Sequence, residues 1–354
     1  MGCKKLKKIR IGDRLIGEGE PTFIVAEIGV NHNGSVKMAK KLIDAAKEVG
    51  ADAAKFQAFK TDRIVTKYAE KAAYQKETTD PKKSQYNMLK RLELADAEIK
   101  ELYGYARKRN MMFLSSAFDE ESVDLLDRLD VPAFKVASGE VTDLPLLRHM
   151  ARKKRPVILS TGLSTLEEIA EALEIFKAED IEDIVLLHCI TSYPAKAEEA
   201  NLRVMDVLKK FGFPVGFSDH TLGIAVPLAA VAMGAVLIEK HFTLDRKLPG
   251  PDHRSSLEPN EFEQMVEGIR NVELALGTGT KKLTAEEENI RSAARRSIVA
   301  KVKIQKGTVI RENMLDFKRP GTGLEPKNLH KIVGKRASKD IEADEMITFT
   351  KLLR

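Results

Sequence analysis

The sequence predicts an α/β protein in which an eight-stranded parallel β/α (TIM) barrel is followed by a small β-rich domain. First, a short apolar, β-branched run followed by an amphipathic helical stretch recurs eight times before residue 277. Second, these runs are nearly continuous rather than alternating, as expected of strands that are covered on both faces. Third, the period stops after residue 277, and short β-type runs separated by Gly and Pro follow.

The first four strands are each predicted from an apolar run. They comprise residues 23–28, residues 51–59, a strand that opens at 111–114, and residues 134–136. The helices predicted to follow them span residues 36–49, 96–110, 119–129 and 143–153. Gly50 ends the first helix and Asp96 is the expected N-cap of the second. A long polar segment, residues 60–95, precedes that second helix, and no conformation is predicted for it.

The last four strands follow the same pattern. They comprise residues 156–159, 184–187, 215–217 and 236–238, and their helices span residues 164–178, 202–211, 222–233 and 259–276. Ser164 and Glu167 have the spacing of a capping box. Eight such units fit one closed barrel of about 250 residues. The alternative, an open doubly wound sheet, is less favoured because the first turn, residues 29–34, lacks the GxGxxG pattern.

The change in texture divides the chain into three parts. Residues 1–276 are predicted to form the barrel domain, residues 277–297 a polar and partly helical linker, and residues 298–354 the small domain. The β-type runs of the small domain are residues 298–300, 308–310 and 346–349. A domain of this size has a small core, so it is expected to rely on a partner surface.

Composition argues against nucleic-acid and membrane partners. The chain has 59 Lys and Arg against 53 Asp and Glu, a net charge of +6, with the two signs interspersed. Aromatic residues make up 6% and Trp is absent, which leaves little material for stacking on bases. The longest apolar run, residues 223–238, is shorter than the ~20 residues that span a bilayer. The basic start lacks a signal-peptide core, and Cys3 and Cys189 cannot form a disulfide framework, so a cytoplasmic location is expected.

Polar side chains end all eight predicted strands, which is where barrel active sites lie. Lys55 and Lys135 stand inside apolar runs, and a lysine is costly to bury without an anion. With hydroxyl residues such as Ser160 and Ser218 at neighbouring strand ends, they predict a pocket for phosphate and carboxylate groups. Any one of these residues alone would be interpreted as a solvated rim residue, but the pattern over all eight strands favours a site.

Two histidines suggest a metal ion. His220 and His241 end the seventh and eighth strands, which are neighbours in a barrel, so their imidazoles could share one divalent ion. With Glu27 from the first strand, they would leave open positions for water or a carbonyl oxygen. A single His is more often a hydrogen-bonded core residue, but the polar surroundings favour the metal interpretation.

Several motifs, in this order, resemble those of the sialic acid synthase (nonulosonate synthase) family. They are AEIGVNHNG at residues 26–34, KFQ at 55–57, KVASGE at 135–140, LSTG at 159–162, GFSDHT at 216–221, EKHF at 239–242 and GPDH at 250–253. In the small domain, RPGTG at residues 319–323 resembles the loop of the family's C-terminal antifreeze-like (SAF, β-clip) domain. The resemblance extends from about Ile11 to the end of the chain.

The resemblance implies a transferase that condenses phosphoenolpyruvate with an N-acylated hexosamine such as N-acetylmannosamine, giving phosphate and a nine-carbon 2-keto sugar acid such as N-acetylneuraminate. By motif match, phosphoenolpyruvate would be held by Lys55, Lys135, Ser138, Ser160, Thr191 and Ser218. The sugar would contact Gln57, Glu140, Tyr193, Asp252 and Arg319, and the metal ligands would be His220 and His241, binding Mn²⁺ or Mg²⁺. Thr191 departs from members with Asn at this position, which weakens that assignment.

The family also implies a domain-swapped homodimer in which the small domain of one subunit covers the barrel mouth of the other. Arg319 would then bind N-acyl or hydroxyl oxygens of the sugar; its other interpretation is a surface cation beside a turn. Glu27 would either stabilise positive charge at carbon 2 of phosphoenolpyruvate or activate water as a general base. The residues leave both roles open.

Three other functions stay open at this point. The same chemistry could use a 2,4-diacetamido-2,4,6-trideoxyhexose and give legionaminate or pseudaminate. A metal-dependent pyruvate aldolase would need no phosphate pocket. A non-enzymatic binding role for the small domain is disfavoured, because acidic and basic residues are mixed along it.

Overall fold

The structure, a computed structural model, describes residues 6–353. Cys3, the rest of residues 1–5 and Arg354 lie outside the described residues. The chain divides into two compact units, Met1–Gly277 and Thr278–Arg354. None of the helices within residues 6–353 combines the length and hydropathy needed to cross a bilayer.

The first unit begins with an antiparallel hairpin that the sequence analysis did not predict. Strands β1 (Ile9–Ile11) and β2 (Arg14–Ile16) pair with Ile9 opposite Ile16. The isoleucines of the hairpin are fully buried and pack against barrel residues such as Phe23 and Leu237. The hairpin therefore contributes apolar side chains to the interior core of the barrel.

Eight parallel strands then close into a barrel, which confirms the predicted fold and excludes the open sheet. The strands are β3 (Phe23–Gly29), β4 (Ala53–Ala58), β5 (Met112–Ala117), β6 (Phe134–Val136), β7 (Val157–Ser160), β8 (Ile184–Cys189), β9 (Val215–Asp219) and β10 (Leu237–His241). They follow one another around the barrel in chain order, and β10 pairs with β3.

Helices α1 to α11 belong to this unit. They are α1 (Val36–Glu48), α2 (Thr61–Ile64), α3 (Ala73–Thr78), α4 (Gln85–Leu92), α5 (Asp96–Lys108), α6 (Glu120–Arg128), α7 (Leu144–Ala151), α8 (Leu166–Ala178), α9 (Val204–Leu208), α10 (Ala225–Ala232) and α11 (Pro259–Leu276). The segment 60–95 thus contains α2, α3 and α4, and its Met88 and Leu92 form a separate apolar cluster with Val30 and Phe59.

The capping residues predicted for two helices were wrong by one position. The capping box of α8 is made by Thr165 and Glu168, not by Ser164 and Glu167: Glu168 N donates to Thr165 Oγ1 and Thr165 N donates to the Glu168 carboxylate. Asp96 is the first residue of α5 rather than its N-cap. The free backbone N–H of Ala95 is satisfied instead by the Glu98 carboxylate, at 2.8 Å.

The second unit contains α12 (Ala285–Ala294) and an antiparallel pair, β11 (Ser297–Ala300) and β12 (Leu315–Lys318). The runs 308–310 and 346–349 are not strands, which corrects the prediction; each makes one isolated bridge, Val309 with Arg336 and Met346 with Val299. Turns at Gly307 and Asp344, both with positive φ, interrupt the extended backbone beside them. The core of this unit is small and made mostly of isoleucines.

Candidate active site

The alternation of side chains along the barrel strands places the polar residues inside the barrel. In β3, Phe23 and Val25 belong to the interior core while Ile24 and Ala26 pack under the helices, so Glu27 continues the inward series. The same alternation along the other strands directs a set of polar side chains inward: Lys55, Ser116, Lys135, Ser160, Cys189, Ser218, Glu239 and His241. The carboxyl end of the barrel interior is therefore polar above an apolar core.

Four buried charges form what we call the lysine cluster: Glu27, Lys55, Lys135 and Glu239. Lys55 Nζ lies 2.7 Å from Glu27 Oε2 and 3.6 Å from Glu239 Oε1. Lys135 Nζ lies 3.9 Å from the same Glu239 oxygen. Glu27 and Lys55 are opposite each other in adjacent strands, which explains their contact. The lysines therefore have carboxylate partners within the protein, which the sequence analysis did not identify.

Hydroxyl groups surround the lysine cluster. Lys55 Nζ donates to Ser116 Oγ at 3.2 Å, and Lys135 Nζ donates to Ser160 Oγ at 2.8 Å. Ser218 Oγ donates to Glu239 Oε1 at 3.1 Å. Ammonium and hydroxyl donors at this density suit a phosphate or carboxylate ligand.

Burial and neighbouring charges set the pKa values in this cluster. Burial raises the pKa of Glu27 to about 7, although Lys55 opposes the shift. Burial lowers the pKa of Lys135. For Lys55, burial acts to lower the pKa, but Glu239 and Glu27 together outweigh it and raise it. For Glu239, burial acts to raise the pKa, but Lys135 and Lys55 outweigh it and lower it.

A second group, the histidine cluster, consists of Tyr193, His220, His241 and Asp252. The imidazole centroids of His220 and His241 are 5.4 Å apart, and the Tyr193 ring lies 4.1 Å from His220 and 5.6 Å from His241. Burial raises the pKa of Asp252 to about 6, and His220 opposes the shift. Burial lowers the pKa of His241 well below its usual value, and the nearby His220 adds to this.

The two imidazoles have nitrogen atoms available for a metal ion. His220 Nδ1 lies 2.7 Å from Ile190 O, so it carries the proton and leaves the Nε2 lone pair free. His241 Nδ1 is buried and has no hydrogen-bond partner among residues 6–353. Within that range, no three His, Cys, Asp or Glu side chains are grouped to hold a metal ion. The Glu27 carboxylate, which the sequence suggests beside the two histidines, is contacted by Lys55 and Gln57.

The residues expected to contact the sugar lie around the same space. Gln57 Nε2 donates to Glu27 Oε1 at 3.1 Å, and Tyr193 stacks on Tyr74 with ring centroids 5.1 Å apart. Burial raises the pKa of Glu140 to about 7, with Lys135 opposing the shift. Glu140 Oε2 is buried without a hydrogen-bond partner among the described residues.

Glycine makes room for two of the hydroxyl groups. A Cβ at Gly162 would lie 2.2 Å from Thr191 Oγ1 and 2.7 Å from Ser138 Oγ. A larger residue would therefore displace both hydroxyls from the cavity. Gly162 N also donates to Ser138 Oγ at 3.1 Å.

One cavity of about 280 Å³ joins these groups. Its lining includes every residue of the first unit that the sequence analysis assigned to the site: Glu27, Lys55, Gln57, Lys135, Ser138, Glu140, Ser160, Thr191, Tyr193, Ser218, His220, His241 and Asp252. Arg319 belongs to the second unit, where its Nε donates to Ala294 O at 3.0 Å.

Several lining residues were not predicted. Glu239, which pairs with both lysines, could have been found from the period-two series Leu237, Glu239, His241. Tyr74 and Gln75 come from α3, in the segment for which no conformation was predicted. Met88 and Leu89 of α4 also line the cavity, and nothing in the polar composition of that segment signals that four of its residues do so.

Sequence models of two known families match this chain. A sequence model of the NeuB family matches residues 42–281, and a model of the SAF domain matches residues 295–353. The chain is 47% identical over 332 residues to the N,N'-diacetyllegionaminic acid synthase of Legionella pneumophila, covering 92% of this chain and 93% of that protein. It is 38% identical over 343 residues to the N-acetylneuraminate-9-phosphate synthase of Mus musculus, covering 94% and 93% respectively.

A solved structure shows the same similarity in three dimensions. The crystal structure of the N-acetylneuraminic acid (sialic acid) synthetase from Leptospira borgpetersenii serovar Hardjo-bovis, in complex with citrate, superposes with a TM-score of 0.71 at 36% identity. The match covers 80% of this chain and 95% of the Leptospira chain.

Proposed function

The chain belongs to the NeuB family and carries a C-terminal SAF domain, and we propose that it condenses phosphoenolpyruvate with an N-acylated hexosamine to give phosphate and a nine-carbon 2-keto sugar acid. The observation that carries this proposal is one cavity holding the lysine cluster, its hydroxyl residues and the histidine cluster. This reaction requires hydrogen-bond donors that bind the anionic groups of phosphoenolpyruvate and a pair of imidazoles that can bind a metal ion.

Phosphoenolpyruvate binds over the lysine cluster. Lys55 and Lys135 offer ammonium groups to its phosphate and carboxylate. The hydroxyls of Ser138, Ser160, Thr191 and Ser218 complete this pocket. The lysines then compensate the charge of the phosphate group as it leaves, which stabilises the departing anion.

The open-chain sugar lies on the side of the histidine cluster, with Gln57, Glu140, Tyr193 and Asp252 holding its polar groups. A divalent ion, Mn²⁺ or Mg²⁺, held by His220 and His241, supplies Lewis acidity toward the sugar carbonyl when it is bound. Bond formation between carbon 3 of phosphoenolpyruvate and the sugar leaves positive charge at carbon 2. Glu27 stabilises that charge as a carboxylate, or takes a proton from the water that adds there.

The sugar itself has two candidates, and each is supported by a relative. N-acetylmannosamine would give N-acetylneuraminate, and a 2,4-diacetamido-2,4,6-trideoxyhexose would give legionaminate or pseudaminate. The name and the 47% identity of the Legionella relative favour the second candidate. The name of the mouse relative, at 38% identity, supports sialic acid chemistry.

A substrate panel tests the proposal. The protein is incubated with phosphoenolpyruvate, Mn²⁺ and each sugar, and phosphate release is measured alongside the mass of the product. We expect phosphate and a nine-carbon acid with one sugar class in clear preference. Product formed from pyruvate without phosphate would instead identify an aldolase and contradict the proposal.

We also propose that the protein acts as a domain-swapped homodimer, with Arg319 of the partner subunit contacting the sugar. Co-expression of Lys55→Ala and Arg319→Ala chains tests both ideas. Each homodimer would be inactive, whereas mixed dimers would regain activity, because one intact barrel would receive an intact Arg319. Arg336→Ala, which changes another exposed arginine of the second unit, is the matched control. No recovery in mixed dimers of confirmed composition would contradict action between subunits.

A further inference from the structure

Two motifs of the sequence have no direct part in the proposed reaction: residues 31–33 after the first barrel strand and His253 after the last. We propose that Asn31, Asn33 and His253, together with Thr243 and Ser256, form a frame that positions Asp252 for the sugar. The inference rests on the proposed function, since it takes Asp252 to be a sugar contact. It adds that the position of Asp252 is set by the loop that follows the first barrel strand, about 220 residues earlier in the sequence.

The main chain of Asp252 is held through Ser256. Ser256 Oγ donates to Asp252 O at 2.7 Å, and Ser255 Oγ donates to the same oxygen at 3.1 Å. Asn31 Nδ2 donates to Ser256 Oγ and to Phe242 O, both at 2.9 Å. These side chains are all buried, so water does not compete for the bonds.

The next residue, His253, is held by a directed chain of hydrogen bonds. Asn33 Nδ2 lies 3.1 Å from His253 Nε2, which is therefore the acceptor nitrogen. The proton then lies on Nδ1, which donates to Thr243 Oγ1 at 2.6 Å, and Thr243 Oγ1 donates to Asp245 O at 3.3 Å. Burial lowers the pKa of His253 to about 4, so the ring is neutral in this arrangement at neutral pH.

The loop that contains Gly250 and Asp252 packs closely against these hydrogen-bonded side chains. Gly250 has φ +153°, and a Cβ there would lie 2.7 Å from His253 Cδ2 and 2.8 Å from Asn33 Oδ1. The glycine therefore lets the loop backbone contact the Asn33–His253 pair. Thr78 Oγ1 lies 3.3 Å from Pro251 O, so α3 also contacts the loop.

The frame acts on one side of the cavity. Asp252 lines the cavity, while its carbonyl and its neighbour His253 are fixed from the loop after β3 and from the segment after β10. No hydrogen bond of the frame involves the lysine cluster or its hydroxyl residues. Loosening the frame should therefore displace Asp252 and weaken sugar binding without changing the phosphoenolpyruvate pocket.

Two variants loosen the frame at separate points. Thr243→Val removes the acceptor of His253 at nearly constant volume, and Ser256→Ala removes the bond to Asp252 O. We expect the KM for the sugar to rise roughly tenfold in each variant, while the KM for phosphoenolpyruvate stays within about twofold of wild type. Thr243→Ser, which keeps the hydroxyl, should behave like wild type. Ser122→Ala is the matched control, because Ser122 is buried and its hydroxyl donates to Asp119 at 2.9 Å outside the cavity.

The kinetics separate the possible failures. If the wild-type protein releases no phosphate with any sugar, the proposed function fails, and this inference with it. If the wild type turns over but the folded variants keep the wild-type KM for the sugar, or raise both KM values equally, the positioning role is refuted. Because the two variants act at separate bonds, either one that keeps the wild-type circular dichroism spectrum is sufficient for this test.

Discussion

The lysine cluster and the histidine cluster lie in one cavity but differ in how their charges are compensated. In the lysine cluster two carboxylates face two ammonium groups, with the nearest pair at 2.7 Å. In the histidine cluster, the Asp252 carboxylate has no lysine or arginine beside it among the described residues, and burial raises its pKa. The first cluster is therefore compensated within the protein, whereas the second would be compensated by the cation that we propose His220 and His241 hold.

The largest effect is expected from breaking the compensation of the lysine cluster. Lys55→Met removes a phosphate ligand and leaves Glu27 buried without its cation, so Glu27 should take up a proton. Turnover should fall roughly 10²- to 10³-fold, measured as phosphate release. Lys40→Met, at a surface lysine paired with Glu101, is the control and should have little effect. Activity of the Lys55 variant within tenfold of wild type would contradict the anion-pocket assignment.

A smaller effect should follow from neutralising Glu27. Because its pKa is about 7 and the proposed roles need the carboxylate, kcat/KM of the wild type should rise with pH up to about 7 and then level off. Glu27→Gln should lower kcat/KM roughly 10²-fold and abolish that rise.

Phosphoenolpyruvate also titrates, but it does so equally in both proteins, so the difference between the two pH profiles belongs to Glu27. Identical profile shapes for wild type and Glu27→Gln would refute the role.

In the histidine cluster, His241→Ala should weaken binding of Mn²⁺ by roughly 10- to 100-fold or more, since even outer-shell partners of a metal contribute that much. Electron paramagnetic resonance of free Mn²⁺ measures this without reference to activity. His149→Ala, a histidine beside Asp124 on the barrel exterior, is the control. Equal Mn²⁺ affinity in wild type and His241→Ala would remove the metal from the proposal.

The last prediction concerns stability rather than activity or binding. The pKa of Asp252 rises from 3.8 to about 6 on folding, so between these pH values the folded protein keeps a proton that the unfolded chain has lost. Stability from this group is therefore present below about pH 4 and is lost as the pH rises to about 6.

The Asp252→Asn variant has no carboxyl group at this position, so its stability does not fall in this way as the pH rises. With metal removed by a chelator, its stability relative to wild type should increase from pH 4 to pH 7 by up to roughly 3 kcal/mol. Denaturant unfolding at several pH values measures the difference, and a difference that is constant with pH would show that the Asp252 carboxyl does not titrate in this way.

The order of the strands and the cavity residues at the strand ends, such as Lys55 and Lys135, could be predicted because both follow from short-range pattern. A residue two positions beyond a buried inward residue also points inward, as Glu27 follows Val25. Segment 60–95 could not be predicted in the same way. Its α3 and α4, at 6 and 8 residues, are too short to be stable by propensity and depend on packing, as Met88 does against Val30.

The repeat of apolar runs and helices specified a barrel, and period-two alternation specified which side chains enter it, because both are local properties of the chain. The charge partners depended on tertiary structure. Glu27 meets Lys55 and Glu239 meets both lysines because of the register and closure of the barrel strands. The burial that moves the pKa values of Glu27 and Asp252 likewise exists only after distant segments have packed together.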